Sequence, residues 1–269
     1  MIFLTGDIHQ NPHQASMDQP YTEMTEMECG LEYAKIAAEF GVKVTLFITG
    51  KAVIREYKIL KKILVLGNTE CGGHTFDARE TKKWVYFFSR RFFGFSMGPR
   101  VFQSVDIDKT IKAFKEKLDI DICSWRSHAY RYDRNTTDLL KSKGIRYISS
   151  DVEPEMFYPV KEDNVYKVFI NVLPDHDHMI HGYYTEKVLR NQILSFNRFS
   201  NRHVYSPSEW LDVVKEQIQS IVDNKCIAVI LAHPICQKIA DDFNTFRKLC
   251  SFLTGFKTLH ISETSEAIK

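Results

Sequence analysis

The sequence contains no Cys-x-x-Cys pair, no apolar run of bilayer-spanning length, no linker rich in Pro, Gly or Ser, and almost no net charge. Each absence removes a class. The six cysteines (Cys29, Cys71, Cys123, Cys226, Cys236, Cys250) are scattered singly, which excludes a disulfide scaffold and a zinc ribbon. Cys71, Cys123 and Cys226 sit in apolar runs, where a free thiol behaves as a small hydrophobe. A net charge of +2, from 36 basic and 34 acidic residues, is too balanced for nucleic acid or an anionic membrane surface. The one basic cluster, Lys82, Lys83, Arg90 and Arg91, is interleaved with Trp84, Tyr86, Phe87, Phe88, Phe92 and Phe93, and reads as a glycan-binding or packing insertion. Without a linker, repeat or low-complexity tract, the 269 residues are expected to form one domain, residues 1–269, with an aromatic-rich insertion near 78–104. MIFLTGD enters an apolar run with no basic n-region, so the expected location is the cytoplasm.

The chain is rich in apolar residues, 44% of the total, with 19 Phe and 12 Tyr. Apolar β-branched runs alternate with segments of helical period. Strands are expected at 1–7, 42–49, TECGGH, 121–126, RYISSD, VYKVFINVLPD, CIAVILAHP and FKTLHIS. Helices are expected at Thr22 to Phe40, 51–66, Asp106 to Leu118, Asn135 to Lys143, 185–197, 207–223 and 241–253. Strands alternating with helices imply a parallel sheet, and repetition along the chain favours an α/β barrel.

Charged groups recur where these strands end. Asp7 and His9 close the first, His74 the third, Arg126 and His128 the fourth, and Asp151 the fifth. Asp175, His176, Asp177 and His178 close VYKVFINVLP, and His233 closes CIAVILA. In a barrel the strand carboxyl ends carry the chemistry. Each group alone has a structural reading: a turn cap for Asp7 or His74, a solvated loop for DHDH, a buried ion-pair partner for Arg126. His203 and His260 read as structural.

These segments resemble, in order, the motifs of the polysaccharide deacetylases (NodB homology domain, carbohydrate esterase family 4). LTGDIH matches the first motif, ECGGHT the second, WRSHAYRYDRNTTDLLKSKGI the third, FINVLPDHDH the next strand and ILAHP the last. The resemblance implies an α/β fold, a distorted (β/α) barrel of about seven parallel strands. It implies Asp7 as base, His233 as acid, Arg126 as a catalytic residue with Asp175 as the acid that orients it, and His74 as a metal ligand. Trp125, His128, Tyr130 and His176 then fall beside the substrate.

Two positions depart from the family pattern: the second metal His is Ala78, and the acid after the first Asp is Ile8. Spacing suggests a repair, with Asp77 one helical turn from His74 and His9 in place of the missing carboxylate. Any DHDH residue, or His181, is an alternative third ligand. Two His and one carboxylate suit zinc first, then cobalt or iron. The implied activity is metal-dependent removal of an N-acetyl or related acyl group from a carbohydrate, in surface polysaccharide biosynthesis. In that reaction Asp7 takes a proton from water and Asp175 or Asp151 holds Arg126. The alternatives are an inactive carbohydrate-binding descendant and an amidohydrolase on small non-sugar amides.

Overall fold

A computed structural model describes residues 1–10, 17–78, 84, 87–88, 91–92, 97–191, 199 and 204–268. Its centre is one eight-stranded sheet in the order β6-β7-β5-β4-β3-β2-β1-β8. The strands are β1 (Ile2–Ile8), β2 (Val44–Ile48), β3 (Thr69–Gly73), β4 (Ser124–Trp125), β5 (Tyr147–Val152), β6 (Val160–Glu162), β7 (Val165–Ile170) and β8 (Ala228–Leu231). Seven of them pair in parallel, and β6 folds back antiparallel on β7. This is the expected distorted α/β barrel. The strands β1, β2 and β8 are buried throughout, as continuous apolar runs in a parallel sheet covered on both faces must be.

The helices are α1 (Glu26–Glu39), α2 (Gly50–Val65), α3 (Arg100–Leu118), α4 (Arg134–Ser142), α5 (Glu186–Asn191), α6 (Pro207–Asp223), α7 (Pro234–Asp241), α8 (Asn244–Leu253) and α9 (Thr264–Ala267). Reciprocal capping boxes open three of them, one of these through Asp133 and Thr136 at α4. Thr25 Oγ1 accepts from Glu28 N–H while Glu28 returns a carboxylate to Thr25 N–H, and Ser206 and Glu209 do the same.

Several expected elements differ, and the strand expected over VYKVFINVLPD ends at Ile170. The helix expected from Asp106 begins at Arg100, so the end of the supposed insertion is helical. The strand expected over 121–126 is only Ser124–Trp125. FKTLHIS is reduced to a bridge between Ile2 and Thr258, alongside the start of β1. The helix expected over 241–253 is broken because Asp242 and Phe243 are left-handed (φ 56° and 63°), which ends α7 and restarts the chain as α8. About half of 78–104 lies outside the described residues; of the rest, Trp84, Phe87, Phe88 and Phe92 are exposed. All six cysteines are free. No helix among the described residues is long and apolar enough to cross a membrane.

Two close contacts position the later chemistry. Gly73 lies under the Trp125 indole, where an added Cβ would sit 2.3 Å from Cε3; the glycine lets β4 approach β3. Between β7 and β8 the ladder is incomplete, and Asn171 bridges the seam. Its Oδ1 accepts from Val229 N–H at 2.8 Å and its Nδ2 donates to the Ile227 carbonyl at 2.8 Å. Replacing Asn171 with Ala strands both buried groups. Denaturant unfolding of N171A should show a loss of about 2 kcal/mol or more, from ~1–3 kcal/mol per unpaired group; an unchanged midpoint would remove the seam's role.

Candidate active site

The strand carboxyl ends bring the expected polar residues to one place. Asp7 is the penultimate residue of β1, His74 follows β3, Arg126 follows β4, and His233 lies between β8 and α7. All four are buried.

Arg126 has no exposed surface. Its Nη1 donates to Asp7 Oδ1 at 2.9 Å, its Nε to the Ser149 carbonyl at 2.7 Å, and its Nη2 to Ser149 Oγ at 2.8 Å. The guanidinium lies 4.4 Å from the centroid of the Phe47 ring. These contacts fix Asp7 by one oxygen. The other, Oδ2, stands 3.8 Å from both His74 Nε2 and His233 Nε2.

Arg126 therefore takes Asp7, and neither Asp175 nor Asp151, as its carboxylate. Asp151 accepts from Tyr132 OH at 2.7 Å. Asp175 holds His233: Oδ1 lies 2.7 Å from Nδ1, while Oδ2 accepts from His233 N–H and from Gln237 Nε2 at 2.7 and 2.8 Å. Burial disfavours the His233 imidazolium, but the Asp175 charge and hydrogen bond outweigh it and raise the pKa to about 9. Burial likewise opposes ionisation of Asp175, yet His233 and Gln237 hold its carboxyl below the ordinary value. His233 is thus a proton carrier with Nε2 turned toward Asp7.

His9 and His74 meet through their Nε2 atoms at 3.1 Å. His74 Nδ1–H donates to the Arg126 carbonyl at 2.9 Å, and His9 Nδ1 lies 3.0 Å from Glu26 Oε2, which also accepts from His9 N–H. Burial, together with the neighbouring His9 and Arg126 charges, drives the His74 pKa well below its ordinary value. Burial acts the same way on His9, but Glu26 overcomes it and raises the pKa. The two Nε2 atoms thus face one another at hydrogen-bonding distance. With both Nδ1 atoms committed elsewhere, only a proton or a cation can stand between those lone pairs.

The ligand atoms of His9, His74 and His128 all lie within 4.8 Å of one another. His128, expected beside the substrate, is the third member of this cluster; Asp77, expected as a ligand, is not in it. The reason is backbone geometry. Thr75 and Ala78 are left-handed (φ 64° and 52°), so no helical turn brings Asp77 over His74. Asp77 is buried, and its carbonyl accepts from Gln10 Nε2 at 2.7 Å. Left-handed Ala129 and Tyr130 reverse the chain directly after His128. Three histidines with an open position form a recognised catalytic donor set for zinc, and imidazole also suits cobalt or iron. The residues present fit a divalent cation.

The remaining expected residues divide. Tyr130 is half-buried, and burial near Asp177 and Asp7 pushes its phenol well up. His176 is partly exposed, its ring centroid 5.2 Å from that of His233. Trp125 is 1% exposed and packs beneath the site, its Nε1 donating to Ser127 Oγ. Sequence reasoning missed Glu26. It was detectable as an acid in register with Cys29, Gly30, Tyr33 and Ala37 on the buried face of α1.

The Asp175–His233 pair makes stability depend on pH with a definite sign. The raised His233 pKa contributes stability fully below about 6.5, lost as pH rises through about 9. The depressed Asp175 pKa contributes stability above its ordinary 3.8, lost on acidification. Unfolding of the metal-stripped protein should show a decline on the order of 3 kcal/mol or less between these alkaline limits, and H233Q should flatten it. An equal slope in H233Q would contradict the assignment.

No protein-family model matches the sequence, and no curated protein matches it. Solved structures do. A candidate polysaccharide deacetylase from Mycobacterium smegmatis superposes with a TM-score of 0.71 at 14% identity, covering 98% of this chain and 88% of that one. Puue allantoinase gives 0.67 at 12%, covering 99% and 89%. A family 4 carbohydrate esterase from Streptomyces lividans, solved with acetate, gives 0.55 at 11%, covering 96% and 90%. At these identities the likeness is one of fold, and with the motif order and the strand-end site it gives the conclusion: this chain has the fold of the polysaccharide deacetylases.

Proposed function

We propose that the chain is a metal-dependent hydrolase that removes an N-acetyl or related acyl group from a carbohydrate, with the cation held by His9, His74 and His128. The observation that carries this reading is the 3.1 Å approach of two Nε2 atoms, beside the buried Asp7 carboxylate and the Nε2 of His233. A bound divalent cation supplies an acidified water and polarises the acyl carbonyl.

The rest is done by the protein. Asp7 Oδ2 accepts the proton from the attacking water, while Arg126 holds Oδ1 and keeps the base in place. His233 carries a proton at Nε2 and delivers it to the departing amine. Asp175 keeps that imidazole charged and oriented through Nδ1. Glu26 fixes the tautomer and direction of His9, and the Arg126 carbonyl does so for His74. Tyr130 and His176 face the substrate.

Six free cysteines support a reducing compartment, which is the basis for a cytoplasmic location. There the substrates would be acylamino sugars, sugar nucleotides or lipid-linked glycans of surface polysaccharide assembly. The allantoinase likeness favours a second reading, hydrolysis of a small non-sugar amide. A panel of N-acetylated sugars run against cyclic ureides, with released acetate and the ring-opened ureido acid as the two readouts, separates the two.

Asp7→Asn should lower turnover by ~10²-fold or more on an accepted substrate, the usual scale of a general base. Unchanged turnover would retire Asp7. His128→Ala should lose bound metal by elemental analysis, whereas Asp77→Ala should retain it. The reverse pattern would restore Asp77 as ligand.

A further inference from the structure

A second set of donors converges beside this site and shares none of its ligand atoms. Asp18, His176, His181 and Cys236 each present one ligand atom, all within 4.8 Å of one another. They come from three parts of the chain. Asp18 lies in the β1–α1 connection, His176 and His181 in the segment after β7, and Cys236 in the first turn of α7.

The separations have a common size. Cys236 Sγ lies 3.5 Å from His176 Nδ1, His181 Nε2 lies 3.7 Å from Asp18 Oδ1, and His176 Nδ1 lies 3.9 Å from Asp18 Oδ2. The ion pairs next door close to direct contact, at 2.7 Å for Asp175–His233 and 3.0 Å for His9–Glu26. Here the His–Asp pairs stop too far apart to hydrogen-bond. Donors roughly 2.0–2.3 Å from one tetrahedral cation stand about 3.3–3.8 Å from each other, and the separations of 3.5, 3.7 and 3.9 Å lie within or just beyond that range.

An independent observation points the same way. His181 Nδ1–H donates to the Met179 carbonyl at 2.7 Å, which leaves Nε2 with its lone pair. The residue is 2% exposed and that Nε2 has no hydrogen-bond partner. A buried acceptor that meets no donor costs about 1–3 kcal/mol. A metal-ligating histidine has this same arrangement, its other ring nitrogen tied to a carbonyl. A thiol donating from Cys236 to His176 accounts for one of the contacts but leaves His181 Nε2 unanswered. Another grouping, Asp175, His233 and Cys236, also has its atoms close together, but both Asp175 oxygens are already hydrogen-bonded to His233 and Gln237.

We propose that Asp18, His176, His181 and Cys236 form a second, closed divalent-cation site of zinc type, structural in role. A mixed sulfur, nitrogen and oxygen set favours zinc over magnesium or calcium. His176 adjoins Asp175 in sequence, and Cys236 lies one helical turn from His233. The cation therefore ties the β1–α1 connection to both segments that carry the Asp175–His233 pair and fixes that pair relative to Asp7.

Cobalt(II) titration of the metal-stripped full chain tests this, because the His9–His74–His128 cluster contains no sulfur. The expected result is two bound equivalents, with thiolate-to-cobalt charge-transfer absorption in the near ultraviolet. Cys236→Ser and His181→Ala should each lose that absorption and one equivalent. His74→Ala should lose an equivalent yet keep the absorption, so failure of the hydrolase reading leaves this outcome distinct. Circular dichroism checks that the variants fold; if Cys236→Ser does not, X-ray absorption of the wild-type cobalt form must show a sulfur neighbour. Absence of the charge-transfer band in the wild type, or its survival in both Cys236→Ser and His181→Ala, overturns the proposal.

Discussion

A permanently charged guanidinium sits in the middle of this barrel with no access to water, and Asp7 is the carboxylate that answers it. Arginine cannot shed its proton, so the usual escape of a buried ion, neutralisation, is closed to it. Removing either partner of such a pair leaves a bare charge and costs on the order of 3–5 kcal/mol. Asp7 and Arg126 are thus bound to one another by folding energetics before any chemistry is considered. Everything else at the site takes its position from that pair: the Arg126 carbonyl turns His74, Ser149 of the next strand receives the guanidinium, and Asp7 keeps one oxygen for the cavity.

Around the pair, the histidines are sorted into different protonation states by partners at short range. His233 is kept charged by Asp175, His74 is kept neutral by burial and neighbouring cations, and His9 is drawn toward the charged form by Glu26. Neighbouring titratable groups pushed in opposite directions are the physical mark of an acid–base site. The fold supplies the means, since parallel strands deliver side chains from distant sequence positions to one end of the barrel.

Much of this was legible in the residues. Strand and helix alternation gave the barrel, and the apolar period gave helix starts within a few residues of those observed at Glu26 and Pro207. Asp7, His74, Arg126 and His233 are readable because each polar residue ends an apolar run. The third member of the His9–His74 cluster was not. Choosing Asp77 assumed a helical turn after His74, and left-handed Thr75 and Ala78 abolish that turn; nothing in the local sequence fixes their φ. Assigning Asp175 to Arg126 failed for a related reason. Which carboxylate meets which cation depends on inter-strand packing, and Ser149 and Gln237 complete the two pairs from opposite sides of the site.

The sequence by itself determined the periodicity of the elements, the parallel α/β architecture and the set of ionisable residues placed at strand ends, because these follow from local burial patterns of period two or 3.6. Only the tertiary structure decided the partnerships: Asp7 with Arg126, Asp175 with His233, His128 with His9 and His74, and the convergence of Asp18, His176, His181 and Cys236. Those contacts join residues tens to hundreds of positions apart, and hydrogen-bond and coordination geometry acts over a few ångströms that no local pattern encodes.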